Sequence, residues 1–362
     1  MMRLAWVLDR PLQRGGTWQV LLPGLITPAL IGAGALLLAG LGGPREVLVG
    51  LGVTCVLAVA YQIFVGATGI ISFGHMAFVA LGAYVAGIVT IPPSRRGALL
   101  PDLPAPFQHV YLTFAGSLIL AAVLCALLAC VSGFVLMRMS GAAAGIATLG
   151  LLVIVNEVLR NSDSFTKGTQ TFFGVPANTD LLSVGVVLLL VVAMALLFTF
   201  SPWGLGARAG RDDPLATETL GGSVFWGRFT AWVVSGALTG VGGALLAQEL
   251  TAFSPKSFFI AQSVPVIVIV VLGGVSSVAG SLVGAVLYVA WAQLMLVVES
   301  GNIMGVEFPG IAGVGQLTVG IGLIVLLRWR PAGLLGSREV GIRSTGTRET
   351  GVLEVSSEEE KA

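Results

Sequence analysis

Residues 66–84 read GATGIISFGHMAFVALGAY. Within them, Gly66 to Gly74 parts two long apolar runs, 47–65 and 75–91, with glycines and no charge. Gly273 to Gly280 (GGVSSVAG) does the same later in the chain. A plain membrane anchor needs no such breaks. Polar, non-helical backbone at membrane depth is tolerated only where it is buried in protein or lines a water-filled cavity. Ser72, Gly74 and His75 in the first break, and Gly273, Gly274 and Ser277 in the second, are therefore candidate linings of a pathway through the protein. Short exposed turns are the alternative. The breaks also share a loose pattern: Ile71-Ser72-Phe73-Gly74 continues to Gly82-Ala83, and Ser277-Val278-Ala279-Gly280 to Gly284-Ala285. Internal duplications leave such traces, but this one is too short to establish a duplication.

The surroundings of the breaks are almost wholly apolar. Of 362 residues, 56% are hydrophobic and 10% charged, and the mean hydropathy is +0.95. Soluble domains carry about 25% charged residues, so a soluble globular protein is excluded. The fifty glycines fit the same reading, because small residues let membrane helices approach closely. Gly141 with Gly145, Gly236 with Gly240, and Gly280 with Gly284 have the spacing for such contacts. A net charge of +1 leaves no electrostatic footprint for nucleic acid. Cys55, Cys125 and Cys130 fall inside apolar runs and read as small buried side chains.

A bilayer core needs about 20 apolar helical residues. Runs near that length occupy 21–41, 47–65, 75–91, 111–136, 180–200, 229–249, 280–298 and 309–327, and two less regular ones occupy 142–158 and 263–273. The expected fold is an all-α integral membrane protein of about ten transmembrane helices with broken or re-entrant segments. Residues 1–20 form a cytoplasmic N-terminus, 21–336 the transmembrane domain and 337–362 a disordered cytoplasmic tail. Both termini and loop 201–228 then share one side. Arg3, Arg10, Arg14, Arg138, Arg208, Arg211, Arg228, Arg328 and Arg330 fall on that side, against Arg45, Arg95, Arg96, Arg160, Lys167 and Lys256 on the other. Positive-inside bias makes the loop side cytoplasmic.

Several kinds of chemistry lack their residues. None of the three lysines follows the glycine of a phosphate-binding G-x-x-x-x-G-K-[ST] loop. The chain has no H-E-x-x-H metal site and no G-x-S-x-G nucleophile turn. Carriers driven by protons or sodium place ionisable groups inside their spans, whereas Glu157, Glu249 and Glu299 lie near run ends. Glu157 has Arg160 at i+3, the spacing of a helical ion pair. The driving force is expected from a partner. Loop 201–228 is the place for one: Arg208, Arg211, Asp212, Asp213 and Glu218 surround a short helix over 215–220. Asp213 would cap it, Pro214 would start it and Gly221-Gly222 would end it.

The ordered motifs resemble those of the branched-chain amino-acid permease family of ABC importers. Gly69-Ile-Ile-Ser-Phe-Gly-His75 through Phe78 to Gly82-Ala-Tyr84 is similar to the family's G-x-x-S-x-G-x-x-x-F-x-x-x-G-A-Y. Ala209, Arg211, Ala216 and Leu220-Gly221 follow its loop pattern, and Ser235 to Leu245 its S-x-x-x-x-G-x-x-G-x-L. Ser254-Pro255, Ser257-Phe258, Ser263 and Leu272-Gly273-Gly274 continue in family order, and Arg330-Pro331-x-Gly333-Leu334-x-Gly336 resembles the end of the family's second, longer permease subunit. Two departures stand out. The family's T-x-G-S-x-G is Thr166-Lys-Gly-Thr-Gln-Thr171 here, and its Arg-Glu-Asn is Arg211-Asp212-Asp213.

The resemblance implies an importer permease fold in a bacterial inner membrane, with no cofactor of its own and ATP bound by partners. Those partners would be a homologous second permease subunit, two cytoplasmic ATPase subunits and an extracytoplasmic solute-binding protein, periplasmic or lipid-anchored, together with membrane lipid. Arg208, Arg211, Asp212, Asp213, Glu218 and Gly221 become the ATPase-coupling residues. A urea or short-chain amide importer of the same design, and an autonomous channel or secondary carrier, are the alternatives.

Overall fold

Helices dominate because the apolar runs leave every backbone group to be satisfied within its own segment. The computed structural model describes residues 45–299, 302–303, 306–307, 313–330 and 333–334. The expected span 21–41, the N-terminus and the tail 337–362 lie outside the described residues. The helices are α1 (Arg45–Thr68), α2 (His75–Thr90), α3 (Pro93–Leu99), α4 (Ala105–Gln108), α5 (Phe114–Leu136), α6 (Gly141–Arg160) and α7 (Asp163–Thr166). After them come α8 (Leu181–Phe200), α9 (Pro202–Asp212), α10 (Pro214–Thr219), α11 (Val224–Leu250), α12 (Ile260–Gly273), α13 (Val278–Glu299) and α14 (Val314–Trp329). A 3-10 turn, Pro255–Phe258, precedes α12. Two-residue strands β1 (Phe172–Phe173) and β2 (Ala252–Phe253) pair antiparallel, as do β3 (Asn302–Ile303) and β4 (Val306–Glu307).

Seven of the described helical segments are long and apolar enough to cross a membrane, and eight if α2 and α3, bent by 117°, count as one. Both irregular runs qualify by this measure: 142–158 lies within α6, and 263–273 within the segment Pro255–Gly273. The expected run 309–327 is represented by α14, which at 16 residues is too short to stand among the seven.

Burial orders the bundle. In α1, 72% of the hydrophobic window is buried, against 28% in α5, so α1 is central and α5 peripheral. Helix α11 lies beside α1 and threads between α2 and α5. Its glycines permit this: a Cβ on Gly82 of α2 would strike the Gly240 carbonyl, and one on Gly243 would strike that of Val79. Gly236 packs on Phe78 and Ala129, and Gly280 and Gly284 of α13 pack on α12. Gly141 differs from the expectation. It has φ +57° and no neighbour within 4 Å of a Cβ, so it serves the turn into α6 and not a helix contact.

One end of the bundle gathers residues 69–74, 137–140, 201–223 and 274–277. There Arg228 donates to the Met139 carbonyl (3.0 Å), and Arg211 reaches residues 66 and 276. The other end gathers 91–113, 161–180 and 251–259, joined by β1–β2 and by Asn156 donating to the Pro255 carbonyl (2.8 Å). Arg96, in the long proline-bearing connection at this end, is 1% exposed. Its guanidinium donates to four carbonyls: Ile91 (2.9 Å), Phe107 (2.8 Å), Gln108 (3.1 Å) and Val89 (3.2 Å). Arg160 and Glu157 form the expected surface pair, at 3.8 Å.

Candidate pathway and loop junction

The first break is held by hydroxyls. Tyr61 of α1 accepts from the Ser72 backbone N–H (3.1 Å), and Thr148 of α6 from that of Phe73 (3.2 Å). Ser72 Oγ accepts from the Gly74 N–H (3.1 Å) and lies 3.0 Å from His75 Nδ1. His75 Nε2 lies 2.7 Å from Ser235 Oγ, which donates to the Ala60 carbonyl (2.7 Å). Ser235 has one proton and spends it on Ala60, so it accepts from His75 Nε2–H. Nδ1 is then the acceptor for Ser72, and hydrogen-bond bookkeeping assigns the neutral Nε2–H tautomer. The ring is 3% exposed and sits among Tyr61, Phe64, Phe78 and Trp232, with centroids 4.7 to 6.0 Å away. His75 thus ties α1, α2 and α11 together, with both nitrogens engaged.

Beside this network lies a cavity of about 10 Å³. Ser72 and His75 line it together with Leu57, Tyr61, Thr239 and Ser263. Gly74 is instead packed against Thr148 and Trp232. In the second break, Gly273 abuts the Gly280 backbone, Gly274 (φ +122°) ends α12, and Ser277 Oγ accepts from the Gly280 N–H (3.0 Å) ahead of α13. These three are buried in backbone contacts.

The two breaks meet at one residue of the loop. Arg211, in the last turn of α9, donates from Nη1 to the Gly66 carbonyl (2.7 Å) and to Ser276 Oγ (3.2 Å). Its aliphatic stem lies against Gly69 (φ +70°). Gly66 is in the final turn of α1, where carbonyls lack helical partners and the dipole favours a cation. Gln62 adds a bond to the Val275 carbonyl (3.3 Å). The Arg330–Gly336 motif reaches the same junction: Leu334 N–H donates to the Leu272 carbonyl (3.0 Å), and Gly333 (φ +80°) rests on Gly274.

The rest of the loop is two helices, not one. In α9, Ser201 caps Gly204 (3.1 Å) and Pro202 takes the first position. Ala207 and Gly204 are buried, Ala207 against Gly227 of α11. Arg208 donates to the Thr199 carbonyl. Asp212 pairs with Arg211 at 3.0 Å. Asp213 caps α10 through the Ala216 N–H (2.9 Å). Gly221 (φ +82°) and Gly222 close α10 by donating to Glu218 and Thr217 (3.0 and 2.9 Å), a Schellman ending. Glu218 is exposed on α10, beside Leu215 and Leu220 at 74% and 89% exposure.

Sequence reasoning passed over α9, because three glycines in eleven residues weaken helix propensity. The Ser201-Pro202 start was its available signal. Tyr61, Gln62 and Thr239 also escaped notice, as isolated polar residues inside apolar runs.

The profile of the family described as "Branched-chain amino acid transport system / permease component" matches residues 44–311, well over half of the chain. The chain belongs to this family. Within this branched-chain permease family it is similar to the "High-affinity branched-chain amino acid transport system permease protein LivM" of Salmonella typhimurium, 29% identical over 317 residues covering 77% of this chain and 67% of that protein. LivM of Escherichia coli is 28% identical over 315 residues, with the same shares. BraD of Pseudomonas aeruginosa, also called a high-affinity branched-chain permease protein, is 25% identical over 300 residues, 78% of this chain and 92% of its own. No solved structure matches the chain. Family membership and the apolar helices make this a multi-pass membrane protein of a transport permease family.

Proposed function

We propose that the chain is the longer-type permease subunit of an ATP-driven ABC importer for branched-chain or related amino acids. The family match over 44–311 carries this reading, and the names of the LivM and BraD relatives supply the substrate class. It pairs with a homologous second permease, two cytoplasmic ATPase subunits and an extracytoplasmic solute-binding protein. It sits in the bacterial inner membrane as ten spans over 21–336, with 1–20 and the tail 337–362 in the cytoplasm. The subunit performs no covalent chemistry and holds no cofactor; ATP belongs to the partners.

Arg208, Arg211, Asp212, Asp213, Glu218 and Gly221 form the coupling element. Leu215 and Leu220, flanked by the acids, suit an ATPase groove with an apolar floor and a basic rim. Displacement of α9–α10 by the ATPase would act through Arg211 on the ends of α1 and α12 together. ATP binding then shifts the population between two conformations of one pathway; Ser72 and His75 line its cavity here, and Gly74, Gly273, Gly274 and Ser277, packed in this conformation, would join the lining in the other.

Reconstitution in liposomes tests the reading. With all partners and ATP inside, radiolabelled leucine should accumulate, be competed by isoleucine and valine, and be unaffected by excess urea. Competition by urea would overturn the substrate class. Leucine flux through the chain alone would replace the importer with an autonomous channel or carrier.

A further inference from the structure

Thr239 on α11 and Ser263 on α12 are 1% and 3% exposed, and neither hydroxyl has a hydrogen-bond partner among the described residues. Both line the 10 Å³ cavity beside Tyr61 and Ser72. That volume holds about one water. Buried hydroxyls are normally paired, since an unmade bond costs stability. Apolar helix packing at these positions would be served better by valine and alanine. Two such groups facing one small space point to something that passes through it.

A larger space lies next to it. Leu57 lines the cavity on one side and, on the other, a crevice of about 390 Å³ between α1, α11 and α13. The crevice lies toward the end opposite loop 201–228, and Glu46, Thr54, Glu249 and Gln293 are among its walls. The exposed carboxylate of Glu46 favours an ammonium-bearing solute over an anion. Leu57, 8% exposed, is the one residue the two linings share.

We infer that crevice and cavity are one pathway shut at Leu57, and that Thr239 and Ser263 are the hydroxyls that contact the charged head group of an amino acid when the cavity widens. This rests on the importer reading. The test uses the complete complex with binding protein and ATP in liposomes. Thr239→Val and Ser263→Ala should each raise the KM for leucine roughly tenfold, the loss expected for one hydrogen bond to a charged group. Their melting temperatures should equal or exceed the parent's, because a buried orphan is removed. A double variant with the parent's KM and maximal rate would overturn the inference.

Accessibility gives a second measure. In a background without Cys55, Cys125 and Cys130, Leu57→Cys should react with an impermeant methanethiosulfonate from the binding-protein side. Ser263→Cys should react only during ATP turnover, and leucine should slow it. Labelling of Ser263→Cys that never depends on ATP would also overturn the proposal. If the parent complex imports no leucine while the ATP-gated labelling holds, the substrate assignment fails and the pathway stands.

Discussion

At His75, the environment decides what a membrane histidine does. Ser72 and Ser235 occupy both ring nitrogens, and Ser235 passes its own proton to Ala60. A ring so engaged is a bridge between helices, not a station that takes up and releases protons. Replacing it by leucine leaves two buried hydroxyls each short of one bond and should destabilise the protein by about 2 kcal/mol, seen as a lower thermal midpoint in detergent. A His75→Leu protein as stable as the parent would show that the bridge carries no weight. The sequence singled out His75 through its place beside a break, and Ser235 only as the start of a motif 160 residues away, with no sign that the two meet. Arg96 teaches the same lesson: its four carbonyl acceptors come from both ends of a loop whose path only folding defines.

Among the helices, glycine placement fixes which pairs touch. At Gly82 the Gly240 carbonyl stands where a side chain would begin. Gly82→Leu should therefore force α2 from α11 and cost at least about 3 kcal/mol, beyond ordinary overpacking because backbone must move; loss of a monodisperse peak in detergent chromatography would register it. Gly150, also helical, is exposed and has nothing within 4 Å of a Cβ. Gly150→Ala should be neutral or stabilising by up to about 1 kcal/mol. Equal behaviour of the two variants would refute the packing account. In sequence both are glycines in apolar runs, and the motif that includes Gly82 does not say what it touches. Local signals were legible where the chemistry is local: Asp213, Pro214 and Gly221-Gly222 bound α10 as their types demand. Helix α9 was not legible, since its glycines lower propensity and its stability comes from contact with α11.

Across the molecule, Arg211 joins the polar loop to both breaks, an arrangement that lets a push on one surface reach two helix ends at once. Arg211→Ala should reduce ATP-dependent uptake at least tenfold while the partners still assemble, and Arg211→Lys should restore only part of it, because a lysine is a point charge without the guanidinium's fork. Parallel assays of uptake, ATP hydrolysis and co-purification of the ATPase would separate coupling from docking. Glu218→Ala, exposed and remote from both breaks, should weaken co-purification instead. Wild-type uptake in both variants would remove the loop from the mechanism.

The opening stretch, 66–84, shows where sequence stops and structure begins. Composition and run length by themselves placed the chain in a membrane, because apolar surface and unsatisfied backbone leave helices as the economical solution. Ordered motifs marked the family, and the breaks marked where helices end. Only the tertiary structure decided which faces of those breaks meet. Gly273, Gly274 and Ser277 turned inward to helix contacts, while Thr239, unremarkable in its run, and Ser263, marked only by motif order, came to face one cavity. The reason is distance: a hydroxyl's partner, or its lack of one, is set by helices that lie next to each other in space and far apart along the chain.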